Sequence, residues 1–319
     1  MRTTRASATE PPAAVGIPRT GDATDGNVVD DSRTRSYVFG MLPLLALLFG
    51  CPASNPDPED TSDDTDPDTE DPLPDVTITF VTLNTESNES ELATVSDVVR
   101  SVEGESFWLF NEVQSQSWLT TLADAADDGA TYGTAFGTEG YDIRLGLAWD
   151  EAVFEVLDTY ELDDVNVGGT VRPSLVAHVR VRANGTELLV VANHFWRSDW
   201  AKRQEQARIL NEWGAAQTLP VLTMGDFNLD WDVEGGDTDH DEGYDALTAN
   251  GVWSWVRPEE LVPTQCSSFQ SVLDFGFVGG AAQQWAASSE ILRTESSYCH
   301  NEDNPDHRPL RVTLTIPAL

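Results

Sequence analysis

The sequence predicts an α/β domain over residues 76–319. Short apolar runs recur along this stretch, read as strands, and several end in a polar or ionisable residue. Segments with apolar residues at helical spacing lie between some of them. The first 75 residues look non-globular, which leaves about 244 residues, enough for one large domain.

Strands are expected near 76–83, 107–113, 143–149, 175–183, 187–194, 220–225, 272–278 and 309–316. Helices are expected near 91–103, 116–127 and 200–214. In the last, Trp200, Ala207, Leu210 and Trp213 fall roughly on one face. There are no internal repeats.

Six strand ends carry polar groups. Val81-Thr82-Leu83 leads to Asn84, and Phe107 to Asn111 leads to Glu112. Val190-Val191-Ala192 leads to Asn193-His194. Pro220 to Met224 precedes Gly225-Asp226-Phe227-Asn228, Asp274 sits between Leu273 and Phe275, and Asp306-His307 precedes Arg308-Pro309-Leu310. Asp226 and Asn228, two apart on an extended segment, share a face. Asp306 beside His307 places a charge or metal anchor next to a base. Such a kit suits metal-assisted hydrolysis of a phosphate ester. Taken singly, Glu112 reads equally as a solvated strand-end carboxylate and His194 as a hydrogen-bonded structural histidine. Asp274 differs, because a charge between apolar neighbours is costly to bury unless paired.

In order, these motifs resemble the endonuclease/exonuclease/phosphatase superfamily over about residues 76–317. The resemblance implies a four-layered α/β sandwich: two packed mixed β-sheets flanked by helices, with the site at one edge. It implies that Glu112 ligates a divalent cation, with Asn84 beside it on metal or phosphate and Asp306 as a further acidic position. Mg²⁺ is the expected ion and Mn²⁺ also fits, given few, hard oxygen ligands. Asp226 and Asn228 would position the attacking water and the phosphoryl oxygens. His307 would be the general base, held by Asp274. His194 would bind phosphate or protonate the leaving group. Arg144 falls where relatives often place a phosphate-contacting Arg or Tyr. Arg203, Gln206 and Leu210 resemble the helix that follows the Asn-His strand. Two positions depart from the pattern: Asn111 stands where Gln is usual, and Pro305 where Ser is usual.

Residues 37–50 form a largely apolar run of 14 residues, too short to span a bilayer. With Arg33 and Arg35 before it, the run suits a signal-peptide core. Leu48-Phe49-Gly50-Cys51 resembles a bacterial lipobox, which makes Cys51 the expected lipidation site and residues 1–51 a lead and signal peptide. Residues 1–30 are a long polar lead for such a signal, and an initiation codon near Val28 or Val29 would remove it. Residues 52–75 hold ten Asp or Glu, six Pro and no Lys or Arg. Such a stretch buries too little apolar surface to fold and reads as an extended tether. The expected location is the cell envelope, exported and lipid-anchored, with a monomeric domain held off the membrane.

The net charge of the whole chain is −37, and residues 76–319 hold 40 acidic against 13 basic residues. A duplex-DNA binder should be basic, so strong duplex-DNA binding is not expected. Cys266 and Cys299, the other cysteines of the chain, suggest a disulfide in an exported protein, with a free pair as the alternative.

Residues 230–245 are rich in Asp, and Asp237, Asp239 and Asp241 alternate as early calcium-loop ligands do. Glu242 stands where the EF-hand needs Gly, and Thr248 where it needs Glu, so only a looser Ca²⁺ site stays open. The competing functional readings are a non-catalytic lipoprotein on the same fold and a calcium-binding surface protein. The filled Glu112, Asp226 and His307 positions favour the enzyme.

Overall fold

The computed structural model describes residues 73–318, except 128, 141–142, 170, 234–238 and 267–270. The lead, signal segment and Cys51 lie outside the described residues, as do residues 52–72 of the tether.

The strands, in chain order, are β1 (Val76–Asn84), β2 (Phe107–Val113), β3 (Tyr132–Phe136), β4 (Arg144–Asp150), β5 (Phe154–Leu162) and β6 (Ser174–Val181). They continue with β7 (Glu187–His194), β8 (Val221–Asp232), β9 (Trp253–Trp255), β10 (Ser271–Gly279), β11 (Ala286–Ile291) and β12 (Leu310–Ile316). The helices are α1 (Leu92–Arg100), α2 (Gln116–Ala126), α3 (Trp200–Ala215), α4 (Glu242–Thr248) and α5 (Ser296–Cys299). The strands build two six-stranded sheets, ordered β11-β12-β1-β2-β4-β3 and β5-β6-β7-β8-β10-β9. Each sheet is mixed, with one parallel pair, β1 with β2 and β7 with β8. All eight strands and three helices read from the sequence are present.

Both faces of each sheet are covered, so the central strands read as near-continuous apolar runs. Ile78, Phe80, Phe107 and Leu109 from one sheet pack with Leu188, Val190, Leu222 and Met224 from the other. On the outer face of the first sheet, Val81, Leu83, Trp108 and Phe110 meet Val95, Val99, Leu119 and Leu122. On the outer face of the second, Val176, Val191 and Phe227 meet Ala207, Leu210 and Leu247. The order is helix, sheet, sheet, helix: the four-layered sandwich that the sequence resemblance implies. The starts of α2 and α3 are fixed by polar caps, Ser115 accepting from Trp118 N and Asp199 from Lys202 N.

Gly225 is required by close approach between the parallel strands β7 and β8. It has φ +147°, and a Cβ there would lie 2.0 Å from the Asn193 carbonyl oxygen. Gly225→Ala should therefore separate these strands where Asn193 faces Gly225 and His194 faces Asp226. A loss of about 1–3 kcal/mol in denaturant unfolding is expected. An unchanged midpoint would contradict this packing.

The described parts of the acidic stretch lie in or beside regular elements. Asp230 and Asp232 lie in β8, and α4 begins at Glu242. Asp241 caps α4 through Gly243 N and pairs with Arg203 at 2.5 Å. Asp230 accepts a hydrogen bond from Ser271. The calcium reading of residues 230–245 finds no ligand set among the described residues, because Asp230 and Asp241 are engaged structurally; Asp237 lies outside them. The paired cysteines are bonded, Cys266 to Cys299.

Candidate active site

The six strand-end motifs converge on one edge of the sandwich. The C-terminal ends of β1, β2 and β7 bring Asn84, Glu112 and His194. The middle of β8 brings Asp226 and Asn228, β10 brings Asp274, and the turn before β12 brings Asp306 and His307. All of these except Asp274, which is hydrogen-bonded to His307, line a cleft of about 120 Å³ together with Glu86, Glu89, Arg197 and Gln265.

Local backbone irregularity aims these side chains. Glu112 sits in a bulge between β2 and β4 with φ +58°, and Asn228 has φ +52°. Such conformations are costly for non-glycine residues and mark places where the fold holds a side chain against local preference.

Asp226 is the hub. Its Oδ2 lies 3.2 Å from Asn84 Nδ2, 3.6 Å from His194 Nε2 and 3.8 Å from His307 Nε2. Asn84 Nδ2 also donates to Glu112 Oε1 at 3.3 Å, so the amide nitrogen of Asn84 faces the carboxylates. Asn228 N donates to Asp226 Oδ1 at 3.0 Å, and its side chain donates to Phe195 O. Asn111 is fully buried and ties the sheets together. It accepts from Asp226 N at 3.1 Å and donates to Asn193 O at 2.8 Å. This shorter amide holds the backbone that carries Asp226.

His307 Nδ1 lies 2.7 Å from Asp274 Oδ2, and both groups are buried. With Nδ1–H donated to Asp274, Nε2 turns toward Asp226 and Asp306, at 3.8 and 3.7 Å. The pair is braced from behind, as Tyr298 donates to His307 O and Cys266 N donates to Asp306 O. Gln265 donates to Asp306 Oδ2 at 2.8 Å, and Asp306 N donates to Glu86 Oε2 at 2.8 Å. The disulfide thus anchors the segment that holds Asp306 and His307.

Burial works against protonating His307, but the surrounding carboxylates, Asp274 first, push its pKa up to about 10. Burial, with Asp274 and Glu112 nearby, pushes Asp226 up to about 7 against the opposing effect of His307. His194 moves the other way, well below the usual histidine value, through burial and then Arg172. Raised folded-state values favour the protonated forms. The His307 contribution is complete below its ordinary value of 6.5 and is lost as pH rises toward about 10. Asp226 acts in the same direction between 3.8 and about 7. Cation-free protein should therefore unfold at lower urea concentration at pH 9.5 than at pH 6.5, and His307→Gln should flatten that dependence. A midpoint that rises with pH would contradict the charge crowding.

The carboxylate excess suits a cation. Glu86, Glu89, Glu112, Asp226 and Asp306 line the cleft against one arginine, Arg197. Among the described residues no three His, Cys, Asp or Glu side chains are grouped as a ready-made cage. An ion that keeps several waters and takes only one or two carboxylates, as Mg²⁺ does, fits such a set better than one needing a full protein shell. The side chains of Glu112 and Asp306 retain 21% and 33% exposure toward that space.

Arg144 is turned elsewhere. Its guanidinium lies 5.3 Å over the Phe136 ring, a cation–π contact, and the residue is not among those lining the cleft. Arg172 reaches the site instead, with Nη1 2.5 Å from His194 Nδ1. Sequence reasoning missed Arg172, Arg197, Glu86 and Gln265. An arginine before an apolar strand is common, and nothing local separates Arg172 from Arg144.

The fold has solved counterparts. A protein of the endonuclease/exonuclease/phosphatase family from Bacteroides thetaiotaomicron superposes with a TM-score of 0.58 at 17% identity, covering 76% of this chain and 96% of that one. This chain has the endonuclease/exonuclease/phosphatase fold. The same fold is found in a mannosyl-6-phosphatase from Bacteroides thetaiotaomicron VPI-5482, with 18% identity, a TM-score of 0.56, and coverage of 74% of this chain and 99% of that one. TDP2 from D. rerio, complexed with a single-stranded DNA product, also matches at 14% identity and a TM-score of 0.56, over 75% of this chain and 99% of that one. No protein-family model matches the chain, and no curated protein sequence matches it.

Proposed function

We propose that this protein hydrolyses phosphate esters with the help of a divalent cation. The observation that carries the reading is the His307–Asp274 pair at 2.7 Å, with Nε2 turned to Asp226 inside a cleft crowded with carboxylates. The fold shared with a mannosyl-6-phosphatase and with TDP2 agrees with it.

Glu112 and Asp306 would hold the cation, with Asn84 orienting Glu112. When bound, Mg²⁺ or Mn²⁺ supplies neutralising charge to the phosphoryl oxygens and leaving group, and it opposes the carboxylates that raise the His307 pKa. His307 Nε2 takes the proton from the attacking water. Asp274 holds the ring in that tautomer and stabilises the imidazolium that forms. Asp226 orients the water, and Asn228 lines the same space.

Export and anchoring form part of the proposal, supported by the lipobox-like Leu48-Phe49-Gly50-Cys51 and the acidic stretch after it. Cys51→Ser should release the protein from membranes on fractionation; unchanged membrane association would remove lipidation as the anchor. The hydrolytic reading is tested by a panel of bis-p-nitrophenyl phosphate, sugar phosphates, sphingomyelin, single-stranded DNA and plasmid, with and without EDTA. Turnover of at least one ester, abolished by EDTA and restored by Mg²⁺ or Mn²⁺, is expected. Poor turnover of plasmid is expected, given the acidic domain. Full turnover after exhaustive chelation would overturn the metal dependence.

A further inference from the structure

We propose that Arg172 is a positioning residue that fixes the tautomer of His194, making His194 a neutral hydrogen-bond donor to the phosphoryl group through Nε2–H and not a proton-transferring acid. The role rests on the phosphate-ester reading above; the tautomer itself does not.

A guanidinium has donors and no acceptor. Arg172 Nη1 lies 2.5 Å from His194 Nδ1, so Nδ1 must accept and cannot carry a proton. The neutral ring then bears its proton on Nε2. Nε2 faces two acceptors, Glu112 Oε1 and Asp226 Oδ2, each at 3.6 Å. The Nε2–H tautomer accepts from the guanidinium at Nδ1 and turns its proton toward the carboxylates. The opposite tautomer would set N–H against guanidinium and a lone pair against two carboxylates. A doubly protonated ring would keep the first of those conflicts. His194 is only 6% exposed, so water has little access to relieve either.

The backbone of His194 is in register with Asp226 across the parallel pair, and the adjacent Phe195 is buried against Phe227 at 5.0 Å.

The two histidines are therefore set to opposite tasks by opposite partners. Asp274 accepts from His307 Nδ1, which leaves Nε2 to take a proton. Arg172 donates to His194 Nδ1, which leaves Nε2 to offer one in a hydrogen bond. A neutral imidazole N–H donates readily but is not an acid near neutral pH. The proton that reaches the leaving group consequently comes from another source, water being the available one.

The test is ¹⁵N NMR of the imidazole rings of the full chain without added cation, with His194 assigned by the signals lost in His194→Gln. At pH 8, where the ring is neutral in either case, Nδ1 should show the unprotonated shift and Nε2 the protonated one. Arg172→Met should give mixed tautomers, and Arg172→Lys should restore the pattern in part. Nδ1 protonated in the unaltered protein, or an unchanged pattern in folded Arg172→Met, would overturn the proposal. Should Arg172→Met not fold, the unaltered spectrum still decides. A second arm compares an ester with an activated p-nitrophenyl leaving group and one with an alkyl leaving group. His194→Gln should lose a similar factor on both. A loss at least tenfold greater on the alkyl ester would identify a general acid and overturn the proposed role. If no ester is turned over by the unaltered protein, the hydrolytic reading fails while the NMR result still decides the tautomer.

Discussion

His307→Ala should lower kcat by roughly two orders of magnitude or more, the usual scale for loss of a general base. Asp274→Asn should lose a comparable amount, because its carboxylate holds the His307 ring at 2.7 Å and an amide in its place removes the charge that stabilises the imidazolium. The two act as a unit, so the double variant should be little worse than either single one. Both positions are buried, so circular dichroism and urea midpoints must accompany the kinetics. Losses that add strictly in the double variant would separate the pair. Near-normal turnover in folded His307→Ala would remove the mechanism and leave only the fold.

Glu112→Gln should have a comparably large effect by a different route. It keeps the size of the side chain and removes the negative charge from the end of β2. The cation concentration needed for half-maximal activity should rise at least about tenfold, and turnover at saturating Mg²⁺ should fall by about two orders of magnitude. The raised pKa of Asp226 should relax, since Glu112 is one of its causes. An unchanged Mg²⁺ requirement in Glu112→Gln would place the ion elsewhere in the cleft.

Most of the sandwich was legible because its central strands are buried on both faces. β1, β2, β7, β8 and β10 are largely apolar runs punctuated by polar groups, and a polar group that interrupts such a run needs a partner or a task. The strands missed by pattern were β3, β5, β9 and β11, all edge strands or short ones. β3 is half-buried along its whole length, β5 is exposed through Leu157–Tyr160, and β11 reads Ala-Ala-Ser-Ser-Glu-Ile. An edge strand packs less, so its sequence alternates less. α4 was hidden by its acidic surroundings. Its cap, Asp241, looks like a calcium ligand until its pairing with Arg203 is seen.

The site divided along the same line. Asn84, Glu112, His194, Asp226, Asn228, Asp274, Asp306 and His307 could be found because each borders or interrupts an apolar run, and the structure brings seven of them to one cleft with Asp274 bonded to His307. Their partners could not. Arg172 is separated from His194 by 22 residues and Glu86 from Asp306 by 220. Neither partner interrupts a pattern, so only the meeting of distant strands reveals them. Asn111 was seen as a departure from the expected Gln; its link between the two sheets was not.

The central claim is that water attacks phosphorus at the His307–Asp274 cleft. It is tested most directly by turnover in H₂¹⁸O, using whichever ester the panel shows to be cleaved, with mass analysis of both products. The account predicts one ¹⁸O in the phosphate product, none in the alcohol, and a rate of labelling that vanishes with EDTA and falls by about two orders of magnitude with His307→Ala. Label in the alcohol, or an undiminished rate of labelling in folded His307→Ala, would contradict it.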